Sequence, residues 1–531
     1  MRFYPVGLDG LLVELANLAQ TLALFDALER APALGVEQIV PAAQTLLVHF
    51  RPSTVSREAL AAEIASRDIS APKRQAGKLI EIPVHYNGED LNDVAQALGI
   101  TADEVIRRHT SSDYSVAFCG FAPGFAYLSG SAGLVVPRRS SPRTRIPAGA
   151  VALAGGFSGI YPQASPGGWQ IIGVTGTRMW DLQREEPALL QPGYRVRFID
   201  AGPAAQAQVS VAAPRQSFTA RGDCLEIGSP GLQTLLQDLG RPGRARQGVS
   251  ASGAMDQGAL RAANRAVGNP AGSACLEVLM GGLSFTCHGH GLAAVTGADT
   301  PIEVRSASGE VLRPALYAPF ALHDGDRVSL QAPKAGLRSY LAIRGGFNHT
   351  PVLGSAASDT LAHVGPAPLA PGDRLGFNAP VGGAAVSLHE QPAFALPRSD
   401  QVITLDVLMG PRSDWFTEAA QVLLSQQAWQ VTAQSNRIGI RLAGEQPLQR
   451  AIDGELPSEG TRVGAIQVPP NGQPVLFLRD HPLTGGYPVI AVVAPHHLDL
   501  AGQIPVNARV RFNPLGAFEP VRPAPSSESP A

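Results

Sequence analysis

One stretch of the sequence mixes residue types that no regular element accommodates together. Phe118-Cys119-Gly120-Phe121-Ala122-Pro123-Gly124-Phe125-Ala126-Tyr127-Leu128-Ser129-Gly130 interleaves three glycines and a proline with three phenylalanines and a tyrosine. Glycine opens backbone conformations closed to other residues and lets a ligand come close to the main chain. Rings at alternate positions suit a rigid, half-apolar wall, so Gly120, Phe121, Pro123, Gly124, Phe125 and Tyr127 are candidate substrate-binding residues. The same composition also fits a tight turn whose aromatics plug the end of a β-barrel. Downstream, Pro137-Arg138-Arg139 and Pro142-Arg143-Thr144-Arg145-Ile146-Pro147-Ala148-Gly149 hold arginines on proline-stiffened loops, a pattern suited to holding an anion. Tyr161-Pro162 and Ser165-Pro166-Gly167-Gly168-Trp169 follow.

Other motifs point away from familiar chemistries. Gly156-Phe157-Ser158-Gly159-Ile160 falls one residue short of the GxSxG nucleophile elbow, which argues against a serine hydrolase. No GxxxxGK[ST] loop occurs, because Gly77-Lys78 continues with Leu79. Cys287-His288-Gly289-His290 and His496-His497 place metal-ligand types together, but neither has a second pair at zinc spacing, so they read as ordinary surface or strand residues. The four cysteines (Cys119, Cys224, Cys275, Cys287) are scattered and read as reduced thiols.

The elements that must position these residues are mostly short strands. Residues 1–78 read as a small α/β domain, with strands at Leu11-Leu12-Val13 and Leu46 to Phe50 and helices at Leu18 to Leu28 and Arg57 to Ser66. Ile80 to Val84 opens a second unit, 79–201. There Asp90 starts a helix that Gly99 ends, and Thr101 with Glu104 makes a capping box for the next. That helix carries His109 toward the aromatic stretch, as a core histidine or a site residue. Short apolar runs between glycine and proline clusters then indicate a closed barrel or sandwich. Residues 202–220 read as a linker, 221–375 as a third unit, 376–400 as a second linker, 401–514 as a fourth unit and 515–531 as a disordered tail. In the fourth unit Pro469-Pro470-Asn471-Gly472 marks a hairpin.

Composition agrees with this division. A chain of 531 residues exceeds one hydrophobic core, and 57 glycines with 45 prolines favour strands and turns over long helices. A net charge of -2 gives no reason to expect nucleic acid or an anionic membrane as partner. The apolar run from Leu11 to Leu28 is broken by Glu14, Asn17, Gln20 and Asp26, so it is neither a signal peptide nor a membrane span, and a cytoplasmic location is expected.

Laid side by side, these motifs resemble a known pair of families. The aromatic stretch, the Pro-Arg cluster and Tyr161-Pro162 with Ser165-Pro166-Gly167-Gly168-Trp169 resemble allophanate hydrolase subunit 1. Gln237-Asp238-Leu239-Gly240-Arg241, Gly253-Ala254-Met255-Asp256, Gly464-Ala465-Ile466-Gln467-Val468-Pro469 and Thr484-Gly485-Gly486-Tyr487-Pro488 resemble its subunit 2. Such proteins form the B and C components of bacterial 5-oxoprolinase and the carboxyltransferase part of urea carboxylase. The resemblance implies a mainly β fold with α/β additions: one cyclophilin-like β-barrel in the first half, two related ones in the second, and an active cleft shared between the halves. One departure is visible, since the family more often has aspartate where Asn436 stands.

The resemblance implies an ATP-dependent lactam hydrolase component that activates 5-oxo-L-proline for cleavage to L-glutamate, works with a separate A subunit and forms a homo-oligomer. ATP and Mg²⁺ are the implied cofactors, with no biotin attached to this chain, because none of Lys73, Lys78 and Lys334 follows methionine. For such a substrate, Arg143 or Arg241 would grip the carboxylate and backbone N–H groups the lactam, with Gln467 a further substrate-binding residue. Arg145 with Gly167, Gly168, Gly485 and Gly486 would cradle nucleotide. Asp238, Asp256, Glu459 and His109 are the candidate acid/base or metal groups, each equally able to serve as a cap, a core residue or a salt-bridge partner. The alternatives are a carboxyltransferase component of a biotin-dependent urea or amide carboxylase, and a binding protein that regulates a histidine kinase.

Overall fold

Consecutive apolar residues in the first strands mean burial on both faces of a sheet, because side chains alternate along a strand. The computed structural model describes residues 1–69, 77–130, 133–139, 141, 143–202, 218–379 and 385–524. Its first unit is an antiparallel sheet in the order Arg2–Pro5, Gly10–Glu14, Thr45–Phe50, Val36–Pro41. Leu11, Val13, Leu46 and Val48 pack against Leu24, Phe25 and Leu28 of the Leu18–Arg30 helix. Leu12, Val40 and Leu47 point the other way, onto Ala465, Phe477 and Val492 near the far end of the chain. The first unit is therefore held between its own helices and the last unit.

The second unit is a seven-stranded sheet running from Gln170–Val174 through Ala150–Ala154, Phe157–Ile160, Ala126–Ser129, Tyr114–Cys119 and Arg195–Asp200 to Leu79–Val84. A bridge between His85 and Val174 joins its edges. The Leu91–Leu98 helix ends at Gly99 in the left-handed conformation, and Thr101 accepts from the Glu104 N–H at 3.2 Å to start the Ala102–Ser111 helix. The Glu104 carboxylate turns to Arg107 and Arg108 instead of completing the capping box.

In the third unit, sheets of six and five strands pack around Leu225, Phe285, Leu341 and Ile343. The Gln257–Val267 helix crosses the five-stranded sheet through Leu260 and Ala263. The fourth unit is a closed seven-stranded barrel around the fully buried Trp429. Its first and last strands, Val402–Met409 and Arg509–Pro514, pair in parallel, as Leu79–Val84 and Arg195–Asp200 do in the second unit. The same closure in two places puts one such barrel in each half, as the resemblance implies.

The strands and helices expected from the sequence are present, including the hairpin at 469–472 between Ala465–Gln467 and Val475–Phe477. Residues 385–400 carry neither helix nor strand. Of the first linker, 203–217 lie outside the described residues, as do 380–384 of the second and 525–531 of the tail. The described tail, 515–524, differs from expectation. It runs back along the first unit, where the Val521 N–H donates to Phe3 O at 2.8 Å and the Ala524 N–H to Glu58 O at 3.0 Å. Phe518 meets Tyr4 with ring centroids 6.0 Å apart. A polar, proline-rich segment needs only a few such contacts to be fixed when a neighbouring edge strand offers them.

Candidate active site

A cavity of about 280 Å³ opens where the two halves meet. Three units build it. The first gives Leu18 and Gln44, the second gives Tyr127, Arg138, Phe157 and Trp169, and the loop before the Glu459–Gly460 strand gives Glu455 to Ser458. Its wall is aromatic because the barrel strands stack their rings behind it. Tyr127 stacks on Phe118 at 4.3 Å, and Phe125 meets Tyr127, Tyr161 and Trp169 edge-to-face at 5.2–5.3 Å. Such pairs fix ring orientation as well as burying area. An apolar wall with a few convergent polar groups is the usual composition of a small-molecule site.

The Phe118–Gly130 stretch makes the seam beside this cavity. Phe121 sits at φ 63°, a strained conformation for an aromatic residue. The Gly124 N–H donates across the seam to Gln247 O at 3.1 Å, and Tyr127 Oη lies 3.2 Å from Thr484 Oγ1. A Cβ at Gly120 would come within 2.6 Å of Thr484, so only glycine lets the halves approach there. Of the six residues expected on the wall, Tyr127 lines the cavity, whereas Gly120, Phe121, Pro123, Gly124 and Phe125 fasten the seam behind it. A second fastening uses charge. Buried Arg412 pairs with Glu459 and, at 2.8 Å, with Glu14 of the first unit. Burial disfavours the Arg412 charge, but the two carboxylates outweigh it and hold the guanidinium above its ordinary value.

The remaining candidates have other employment. His109 is fully buried, with Nδ1 2.7 Å from Tyr86 Oη, Nε2 2.9 Å from Ser158 Oγ and its ring stacked on Phe198 at 4.2 Å. Burial pushes it down to about 3, so it is a neutral core histidine. Asp238 accepts from Gly240 N, Ser355 Oγ and Ala356 N at 2.6–2.8 Å, saturating a turn. Asp256 caps the Gln257–Val267 helix through Ala259 N at 2.8 Å. Glu459 belongs to the Arg412 pair. Arg241 is buried against Val352 O and Ala357 O in the third unit, away from the cavity. Arg143 pairs with Asp90 at 2.8 Å and with Glu89 at 3.0 Å. Because Asp90 is only 1 % exposed, Arg143→Ala is expected to cost roughly 1–3 kcal/mol of stability while leaving ligand affinity unchanged, as a melting curve and a binding isotherm on one sample would show.

The glycines expected to cradle nucleotide do not fit that role. A Cβ at Gly167 would run into the Tyr161 hydroxyl, one at Gly485 would meet Gln467 Nε2 at 2.6 Å, and one at Gly486 would overlap the Arg138 guanidinium. Their missing side chains are replaced by neighbouring protein groups, which leaves no opening for a phosphate. Gly168 offers its carbonyl to the Arg139 N–H at 2.7 Å, Arg145 is exposed, and Gln467 Nε2 is bonded to Tyr487 O at 2.9 Å.

Comparison with known proteins agrees with the division into halves. A model described as "Carboxyltransferase domain, subdomain C and D" matches residues 1–190, and one described as "Carboxyltransferase domain, subdomain A and B" matches 247–514, half of the chain. The chain belongs to the carboxyltransferase-domain family. The C component of 5-oxoprolinase from Escherichia coli (strain K12) is 37% identical over 294 residues, covering 54% of this chain and 90% of that protein. The B component of 5-oxoprolinase from Haemophilus influenzae is 43% identical over 159 residues, 29% of this chain and 72% of that one. The crystal structure of TTHA0988 superposes with a TM-score of 0.79 at 33% identity, covering 95% of this chain and 99% of the other.

Within the carboxyltransferase-domain fold, the exposed Asn436 closes a turn, its Oδ1 accepting from the Ile438 N–H at 2.9 Å. An aspartate would accept the same bond, so the substitution removes a charge without disturbing the turn. The four cysteines are buried and unpaired. His496 and His497 gain a neighbour the sequence does not suggest, Asp406, whose carboxylate lies 3.0 Å from His496 Nε2. That trio lies on the fourth barrel, and none of its members lines the cavity. No described helix is long and apolar enough to cross a membrane.

Proposed function

We propose that this chain is the fused B- and C-type component of an ATP-dependent 5-oxoprolinase, and that it holds 5-oxo-L-proline in the cavity between its halves. The observation that carries this reading is the cavity itself, which residues of the first, second and fourth units line together. A lactam carbonyl is a poor electrophile, so its opening needs a site that excludes bulk water and fixes the ring. The aromatic wall of Tyr127, Phe157 and Trp169 supplies the fixing, and Ser458 Oγ and the Gln44 amide are polar groups within reach of the cavity. The nucleotide chemistry is assigned to the separate A subunit, because Gly167, Gly485 and Gly486 are each closed by a neighbouring side chain.

The test is to mix the purified chain with a 5-oxoprolinase A subunit, ATP, Mg²⁺ and 5-oxoproline. Glutamate and ADP should form together only when both proteins are present. Failure to form either product above the single-protein background would refute the reading. The family description favours a second reading, a carboxyltransferase component. Under it the chain would instead transfer a carboxyl group when supplied with a carboxylated biotin carrier and urea or an amide.

A further inference from the structure

The cavity contains a guanidinium whose charge no described carboxylate neutralises. Arg138 Nη2 donates to Ser458 Oγ at 3.0 Å and Nη1 to Leu456 O at 3.4 Å, both neutral acceptors. Among the described residues its link to an acid runs through the main chain, where the Arg138 N–H donates to Glu455 Oε1 at 2.8 Å. Its neighbours in the same proline-stiffened cluster are committed, since Arg139 and Arg143 both hold Asp90. Arginine needs charged or multiple acceptors to complete its fork of donors, and a cation left in a half-buried cavity is a site prepared for an anion.

The surroundings keep that guanidinium in place. It lies against the main chain of Gly486, where any side chain would overlap Nη1. Gly486 thus seats Arg138 at the seam. Opposite stand the flat apolar faces of Tyr127, Phe157 and Trp169. A volume of about 280 Å³ is at or below the lower end of the ~300–1,000 Å³ typical of ligand pockets, which favours a single-ring metabolite over a nucleotide. The exposed Glu455 at the mouth disfavours a ligand with two or more negative charges.

Resting on the reading of this cavity as the lactam site, we propose that Arg138 is the residue that binds the substrate's carboxylate. The ligand class is then a compact amide or lactam ring bearing a single carboxylate. The charge would be met by the Arg138 fork, and the ring would lie on the aromatic wall.

Titration calorimetry on the whole chain tests this with two probes, 5-oxoproline and 2-pyrrolidone, which has the same lactam ring without the carboxylate. The wild-type chain is expected to prefer 5-oxoproline by about tenfold to a hundredfold, the range for hydrogen bonds to a charged group. Arg138→Gln should abolish that preference and leave both probes equally weak. Gly486→Ala, which displaces the guanidinium without removing it, should reduce the preference in the same direction. A melting curve for each variant shows that the fold is kept. If Arg138→Gln or Gly486→Ala retained the wild-type preference, the assignment of Arg138 would be overturned while the cavity reading stood. If the wild-type chain bound neither probe, the cavity reading would fall and this inference with it.

Discussion

Arg437→Met is expected to destabilise the second half of the chain by about 3–5 kcal/mol, the range for breaking a buried ion pair from one side. Arg437 is 2 % exposed and sits between two acids from different units, Asp480 at 2.9 Å and Glu277, while its Nη2 donates to Gly253 O at 2.7 Å. Methionine fills much of the same volume but leaves Asp480 buried without its paired cation and Glu277 with only Arg338 Nε at 3.7 Å. In the wild type Asp480 is held in its charged form, and the substitution removes the largest of the groups that hold it. Burial disfavours its charge, yet Arg437, Ser252 Oγ and the Thr360 N–H hold the carboxyl below the ordinary aspartate value. Arg437→Lys should also cost several kcal/mol, because one ammonium cannot span both acids and the carbonyl. Scanning calorimetry would register the loss as a lowered transition for the third and fourth units together, since the pair joins them. An unchanged transition would mean that the joint is held by packing alone.

The second large effect depends on pH. Burial, and then the nearby Asp499 carboxylate, raise Asp256 from its ordinary 3.8 to about 7. In the unfolded chain the group ionises near pH 4, whereas in the folded chain it keeps its proton until about pH 7. Between those values the folded state binds more protons, so stability falls as pH rises. At ~1.36 kcal/mol per pKa unit the shift corresponds to roughly 4 kcal/mol, fully lost above pH 7. Asparagine can still accept the Ala259 N–H and keep the helix cap. Asp256→Asn also removes the oxygen that accepts from Gln503 Nε2 at 2.9 Å, a loss present at every pH. Wild type and variant should therefore converge, or cross in favour of the variant, as pH is raised from 4.5 to 8. Parallel curves across that range would show that Asp256 is ionised in the folded protein throughout.

Local elements were legible because their signals are local. Thr101, Gly99, Asp256 and Gly268 mark helix ends at the residues where the chain turns, and the apolar runs around Leu11 and Leu46 mark strands. The Phe118–Gly130 stretch stood out too, as a wall for a ligand or a barrel plug, but that most of it fastens a seam shows only once Thr484 and Gln247 are folded against it. What the sequence withheld is which partner each charged residue finds. Arg138, Arg139 and Arg143 look alike in a run of prolines. The acids that occupy two of them, Glu89 and Asp90, lie about fifty residues upstream, and the Ser458 that meets the third lies 320 residues downstream. Glu459 and Asp238 looked like chemistry for the same reason. A carboxylate in a glycine-rich motif has no visible partner until Arg412, Ser355 and Ala356 are folded against it.

The docking of residues 515–524 on the opening strand has a consequence for how the gene itself can be arranged. Val521 is bonded to Phe3, so the path of the main chain nearly returns to its starting point. A molecule of that shape has no intrinsic first and last half. Writing the coding sequence from the third unit onward, with the original start placed after residue 524 through a short joint, would describe the same object in three dimensions. Two separately translated pieces, one for each half, are expected to assemble into the same object.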